Sequence, residues 1–213
     1  MSFRPPLSQR ERVLNDQELG RVLQMALQCR TQFEAIVALL IITGQRRGEI
    51  AALQWHWINF GEQIITLPKE ITKNTRPHRF PFGSMTAQIL SEIPEQIGKP
   101  YVFPASRTRF KDRPATTFNG WGKPKADFEK QLGIPPWTLH DLRRTFRTKW
   151  AELGILREVA ERYINHVSGV HSGIQAVYDR HTYLPEMRKA VDIWETHLQI
   201  LLADTTRRMR RAE

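Results

Sequence analysis

The sequence predicts a mainly α fold with a small antiparallel β-sheet, an α+β domain, and three observations carry that expectation. Leu19, Val22, Leu23, Ala26 and Leu27 recur at the spacing of one helix face. Met187, Ala190, Val191, Trp194, Leu198 and Leu201 do the same near the end of the chain. Between residues 55 and 82 the pattern changes to short β-prone runs parted by turn residues. With 213 residues, 40% of them hydrophobic, the chain has enough apolar surface for one large core.

Residues 1–13 bear Arg and Pro without periodicity and read as a linker, so the domain is expected over 14–203. Asn15 with Glu18 matches a capping box, which starts the first helix. Residues 35–42 are apolar throughout and read as a buried helix ending at Thr43-Gly44, where glycine permits the turn. A further helix spans 46–53. The runs 58–60, 64–67 and 79–82 supply the three expected strands, with Gly61-Glu62 and residues 73–77 as their turns. Lys73 therefore falls on or beside the second turn. Ser84 is placed to cap a helix reaching Leu90, residues 101–104 close that region, and residues 107–113 are basic and irregular. Beyond Pro135-Pro136, Thr138 with Asp141 repeats the capping-box pattern and opens a helix through Trp150, with His140 and Arg143 on one face. Gly154 ends it, 158–164 forms the next helix, and the loop 168–173 leads to a short helix bearing Tyr178. The last helix begins near Pro185-Glu186, and the basic tail 204–213 is expected to fray.

Charge narrows the partners. Thirty-two Lys+Arg against 22 Asp+Glu leave a net charge of +10, which makes a polyanion, nucleic acid first, the expected ligand. The longest apolar stretch is too short to cross a bilayer and the N-terminus lacks a signal-peptide core, so a cytoplasmic protein without membrane contact is expected. Cys29 is the single cysteine, which excludes an intrachain disulfide and a multi-cysteine zinc site. The histidines are scattered without a metal-binding spacing, and neither metal nor cofactor is expected.

Four local strings hold the residues suited to chemistry: Thr43-Gly44-Gln45-Arg46-Arg47-Gly48-Glu49-Ile50, Thr72-Lys73-Asn74, His140-Asp141-Leu142-Arg143-Arg144-Thr145, and Asn165-His166 followed by Val177-Tyr178-Asp179-Arg180-His181. Taken singly, a helical Arg is usually a solvated charge, a hairpin Lys a surface tether and a buried Tyr part of the core. In this order they resemble the catalytic domain of the tyrosine recombinases, the phage-integrase family. That family's pattern is T-G-x-R-x-x-E, a hairpin lysine, H-x-x-R, a later histidine and a tyrosine nucleophile near the C-terminus. The likeness covers about residues 14–203, and the Pro-Trp-Thr approach to His140 and the Tyr-Asp-Arg-His string are similar to prophage-type integrases.

The resemblance implies the tyrosine recombinase catalytic-domain fold and a site-specific recombinase that cleaves and rejoins DNA through a 3′-phosphotyrosine, without metal or ATP. Arg46 and Arg143 would clamp the non-bridging oxygens of the scissile phosphate, a task that suits a permanently charged planar fork. Tyr178 would attack the phosphorus. A free phenol is ionised in only about one molecule in a thousand at pH 7, a deficit of roughly 4 kcal/mol, so a neighbour must take its proton. His140 is assigned to that proton and His166 to a hydrogen bond with the phosphate, although the residues alone leave the two tasks interchangeable. Lys73 would protonate the departing 5′ oxygen, with Lys69 as the rival, and Glu49 would buttress the arginine or a histidine rather than touch DNA. The interval from His166 to Tyr178 exceeds that of many recombinases, which leaves Tyr183 as a second nucleophile candidate. Tyr163 is read as core.

Double-stranded DNA is the expected partner, and the resemblance implies self-association into a synaptic tetramer through the C-terminal helix, whose apolar stripe would pack either on a neighbouring protomer or in the core of its own chain. Two other readings compete. A non-catalytic DNA-binding regulator would use residues 146–164, with Gly154 between two helices, as a helix-turn-helix. A type IB topoisomerase would share the chemistry but relax supercoils instead of exchanging strands.

Overall fold

The computed structural model describes residues 12–105, 116–166 and 182–211. Helix α1 (Asp16–Ala26) begins at the expected capping box: Asn15 Oδ1 accepts from the Glu18 amide at 2.9 Å, and Glu18 Oε2 accepts from the Asn15 amide at 3.1 Å. Arg12, assigned to the linker, is already tied down, donating to Pro136 O at 2.6 Å and to Glu18 at 2.7 Å. Helix α2 (Gln32–Thr43) is apolar on all sides, and every residue from Ala35 onward is buried. Such a helix belongs at the centre. Accordingly it packs against α1 and against four further helices, given below. Gly44 ends it with φ 61, and a Cβ there would stand 2.4 Å from the Phe146 ring. Glycine is thus required twice, for the left-handed turn and for the close approach of the Phe146 ring.

Helix α3 (Arg47–Ala51) starts one residue later than expected, because Arg46 is its N-cap in extended conformation. Three strands follow in the order β1 (Ile58–Asn59), β2 (Ile64–Leu67) and β3 (His78–Pro81), all antiparallel. The register pairs Ile65 with Phe80 and Leu67 with His78 on the buried face, and Thr66 with Arg79 on the exposed one. Strand β3 begins one residue earlier than the sequence suggested, which brings His78 into the ladder on the same inward face as Phe80.

Helix α4 (Ser84–Glu92) corrects the expected cap. Ser84 is its first residue, and the acceptor comes from far along the chain: the buried Glu195 carboxylate takes the Met85 amide at 3.1 Å and the Ser84 hydroxyl at 2.9 Å. Helix α5 (Gly122–Leu132) has no counterpart in the sequence reading. It buries only Phe128 and Leu132 and has no side-chain cap, so neither periodicity nor capping announced it.

Helix α6 (Leu139–Glu152) opens with the predicted box, Asp141 Oδ2 accepting from the Thr138 amide and hydroxyl, each at 2.8 Å. Helix α7 (Arg157–Tyr163) follows Gly154, whose φ of 77 ends α6. Phe146 and Trp150 of α6 meet Tyr163 of α7, with the Trp150–Tyr163 ring centroids 4.7 Å apart. The facing sides of the pair are thus part of the core, and its ends shape the site described below.

Helix α8 (Leu184–Arg210) runs through the tail that was expected to fray. Its far end is anchored because Thr205 is buried on Gly20, where an added Cβ would lie 2.3 Å from the hydroxyl. The stripe Met187, Ala190, Val191, Trp194, Leu198 and Leu201 is buried within this chain, with Trp194 Nε1 donating to Ile41 O. The contact assigned to a neighbouring protomer is thus intramolecular. Among the described residues no helix is long and apolar enough to cross a membrane.

Candidate active site

The last turn of α7 leaves carbonyls without helical partners, and this end carries the negative pole of the helix. Three successive carbonyls there receive donors from distant segments. Tyr163 O takes the Gln45 side-chain amide at 2.8 Å, Ile164 O takes Arg143 Nη2 at 2.7 Å, and Asn165 O takes Arg46 Nη2 at 2.9 Å. Arg143 Nη1 reaches Gly44 O at 2.8 Å, so one guanidinium bridges the end of α2 and the end of α7. Arg46 Nη1 meets the buried Glu49 carboxylate at 2.9 Å, and Glu49 Oε2 also accepts the Arg46 amide at 3.3 Å. Each terminal nitrogen carries a second N–H.

The two arginines feel each other. Burial first, and then the charge of Arg46, pushes Arg143 down to about 10, which still leaves it cationic at neutral pH. Arg143 is buried while Arg46 is half-buried, and both line an open cleft of about 690 Å³ together with Lys73 and His140. Lys73 sits exposed in the turn between β2 and β3; Lys69 stands outside the lining. His140 lies in the first turn of α6 and also lines a second cleft of about 450 Å³ with Arg143, Arg144, Arg147 and His166. Both histidines are held below their ordinary value: His140 by partial burial and then by Arg144, Arg143 and Lys73, and His166 by partial burial and then by Arg143 and Arg46. Their neutral forms are favoured at pH 7.

The sequence-derived residues thus separate into a group that the fold gathers and a remainder. Arg46, Lys73, His140 and Arg143 share one cleft, His166 joins the last two in its neighbour, and Glu49 supports Arg46 from beneath. Tyr178 lies outside the described residues. Tyr163 is core, as read from the sequence, and burial raises its phenol. Tyr183, the second nucleophile candidate, is the half-buried N-cap of α8, with Arg162 stacked 4.2 Å from its ring centroid. Among the described residues no three His, Cys, Asp or Glu side chains gather as a metal site.

Several neighbours escaped the sequence reading. His78 is buried behind the arginines, stacked on Phe80 with centroids 4.9 Å apart, and burial drives its imidazole down to about 3. The alternation of His78, Phe80 and Phe82 was the available signal, since it puts all three on the inward face. Trp121, Lys125 and Trp137 complete the cleft wall, Arg47 stacking 4.9 Å from the Trp121 ring and Lys125 3.9 Å from that of Trp137. Trp121 and Lys125 belong to the helix α5 region that periodicity missed, whereas Trp137 stands in the Pro-Trp-Thr string already noted in the sequence.

Known proteins were compared with this chain. It is 29% identical over 173 residues to the prophage integrase IntZ of Escherichia coli K12, an alignment that covers 81% of this chain and 41% of IntZ. The chain thus spans less than half the length of that relative. The fold is similar to that of the integrase from mycobacterium phage Brujita, with a TM-score of 0.65 at 17% identity over 90% of this chain and 60% of that one. XerA recombinase gives 0.61 at 22% identity, covering 88% and 64% of the respective chains. A lambda integrase dimer bound to a COC′ core site gives 0.56 at 19%, covering 76% and 60%. These structures bear out the expected tyrosine recombinase catalytic-domain fold, mainly α with its three-stranded sheet. The sequence model of the phage integrase family matches residues 12–181, most of the chain, and the protein belongs to that family.

Proposed function

We propose that this chain is the catalytic domain of a site-specific recombinase that breaks and rejoins double-stranded DNA through a covalent bond between Tyr178 and a backbone phosphate. The observation that carries the reading is the convergence of Arg46, Arg143, Lys73 and His140 on one cleft, although almost a hundred residues of chain separate the first arginine from the second. In this scheme the Tyr178 oxygen attacks phosphorus, the bond to O5′ breaks, and a 3′-phosphotyrosine and a free 5′ hydroxyl result. The energy of the phosphodiester is retained, so the 5′ hydroxyl of a second strand can reverse the step without ATP.

Each side chain has a task matched to its surroundings. Negative charge grows on the non-bridging oxygens as phosphorus gains its fifth ligand, and two guanidinium groups already fixed by carbonyls meet it without reorganising. Neutral His140 accepts the phenolic proton, and His166, neutral as well, still has one N–H to donate to the phosphate. Lys73 gives a proton to the departing oxygen. The two arginines supply the positive charge that a magnesium ion supplies in many phosphoryl-transfer sites, so neither metal nor cofactor enters the scheme.

DNA-bound structures exist for lambda integrase and for XerH on its difH substrate, and the same partner class fits a basic cleft here. Assembly of four protomers on two sites is proposed on the family alone, since the helix stripe first assigned to that contact is internal. The decisive experiment uses a nicked duplex whose cleaved fragment diffuses away, trapping any adduct. Wild-type protein is expected to give a DNA–protein band that survives boiling in detergent, and Tyr178→Phe to give none while still binding DNA. An adduct formed normally by that variant would move the nucleophile elsewhere.

A further inference from the structure

Asn165 makes three connections at once. It has the left-handed φ of 51 that Asn tolerates better than most residues, and its carbonyl accepts Arg46 Nη2 at 2.9 Å. The next residue is His166. The Asn165 side-chain amide is paired reciprocally with that of Asn74: Asn74 Nδ2 donates to Asn165 Oδ1 at 2.5 Å, and Asn165 Nδ2 donates to Asn74 Oδ1 at 3.1 Å. Asn74 directly follows Lys73. On the other side of that lysine, the buried Thr72 hydroxyl stands 3.1 Å from Lys69 O and 2.7 Å from Arg76 O, closing the turn.

We propose that the Asn74–Asn165 amide pair is a positioning device that sets where the Lys73 ammonium stands relative to Arg46 and His166. The inference rests on the reading of Lys73 as proton donor to the leaving oxygen. A lysine on an unanchored turn would spread over many rotamers and turn positions, each a little too far from a proton acceptor whose location the arginines fix. Two hydrogen bonds to the residue that also holds Arg46 put the base of the lysine and the phosphate clamp in one frame. The pair requires an amide on both sides, because each partner donates once and accepts once.

Two variants isolate the pair. Asn165→Gly keeps a backbone that adopts positive φ, and with it the carbonyl for Arg46, while deleting the side chain. Asn74→Ala removes the other half from a half-buried position in the turn. Covalent adduct rates would be measured on two nicked duplexes, one with oxygen and one with sulfur at the bridging 5′ position, since a thiolate departs without needing a proton. On the oxygen substrate each variant is expected to be slower by about tenfold to a hundredfold, with the double variant no worse than either single one. On the sulfur substrate both are expected to approach the wild-type rate, as is Lys73→Ala. Equal losses on both substrates, or losses that multiply in the double variant, would overturn the positioning role while leaving the recombinase reading intact. Absence of any wild-type adduct on either substrate would remove that reading itself, and the proposal with it.

Discussion

At Arg143 a single planar fork joins Gly44 O to Ile164 O while its remaining N–H groups stay available, which an ammonium on a flexible stem does not reproduce. Arg143→Lys keeps the charge, so DNA affinity is expected to change only severalfold, whereas adduct formation should fall by about 10² to 10³. Equal loss of both, measured by binding titration and trapping, would make the residue a binding group only. His78 gives a prediction of another kind. Folded, its imidazole stays neutral down to about pH 3; unfolded, it takes up a proton near its ordinary value of 6.5. Between those values the unfolded chain binds more protons, so stability falls as pH is lowered through that window, by up to about 1.4 kcal/mol per pH unit, and this penalty is absent above it. Denaturant melts of His78→Gln should show a shallower decline between about pH 4 and 6 than wild type, and an unchanged slope would contradict the buried neutral histidine. Arginine, lysine and histidine candidates were legible because the family pattern is written in short strings. The burial of His78 and the contacts of Asn165 with Asn74 and Arg46 were not, since those partners lie in other elements.

Elements with their own start signals were read correctly, and those completed by a distant residue were not. Asn15 with Glu18 and Thr138 with Asp141 close their boxes within one turn, so the sequence contains both partners side by side. Helix α4 is different: the Glu195 carboxylate reaches it from α8, and Gly83 leaves room that a Cβ would fill at 2.4 Å from that carboxylate. Glu195→Ala should cost about 1–3 kcal/mol by leaving the Met85 amide and Ser84 hydroxyl unpaired. Adding Ser84→Ala to that variant should cost little more, because the hydroxyl has already lost its acceptor. Full additivity in thermal or denaturant melts would argue against a shared cap. Helix α5 escaped because a mostly exposed helix with two buried residues has almost no amphipathic signature.

For the whole molecule, the net charge of +10 is distributed so that Arg46, Arg47, Lys73, Lys125 and Arg143 line one cleft. If DNA binds there as proposed, counterions would be released from it, and affinity is expected to fall at least tenfold between about 50 and 200 mM salt. A flat response in fluorescence anisotropy would place the interface elsewhere. The amino-acid order by itself determined the class of fold, the capped helices, the sheet with its lysine-bearing turn and the residues suited to phosphate chemistry, because hydrophobic spacing, caps and motifs act over a few positions. Tertiary structure alone decided that three successive carbonyls at the end of α7 anchor the arginines and their neighbour Gln45, that Asn74 meets Asn165, that Glu195 caps α4 and that the stripe of α8 is internal. Each of those contacts joins segments whose encounter depends on how the helices pack around α2, and packing geometry leaves no local mark in the chain.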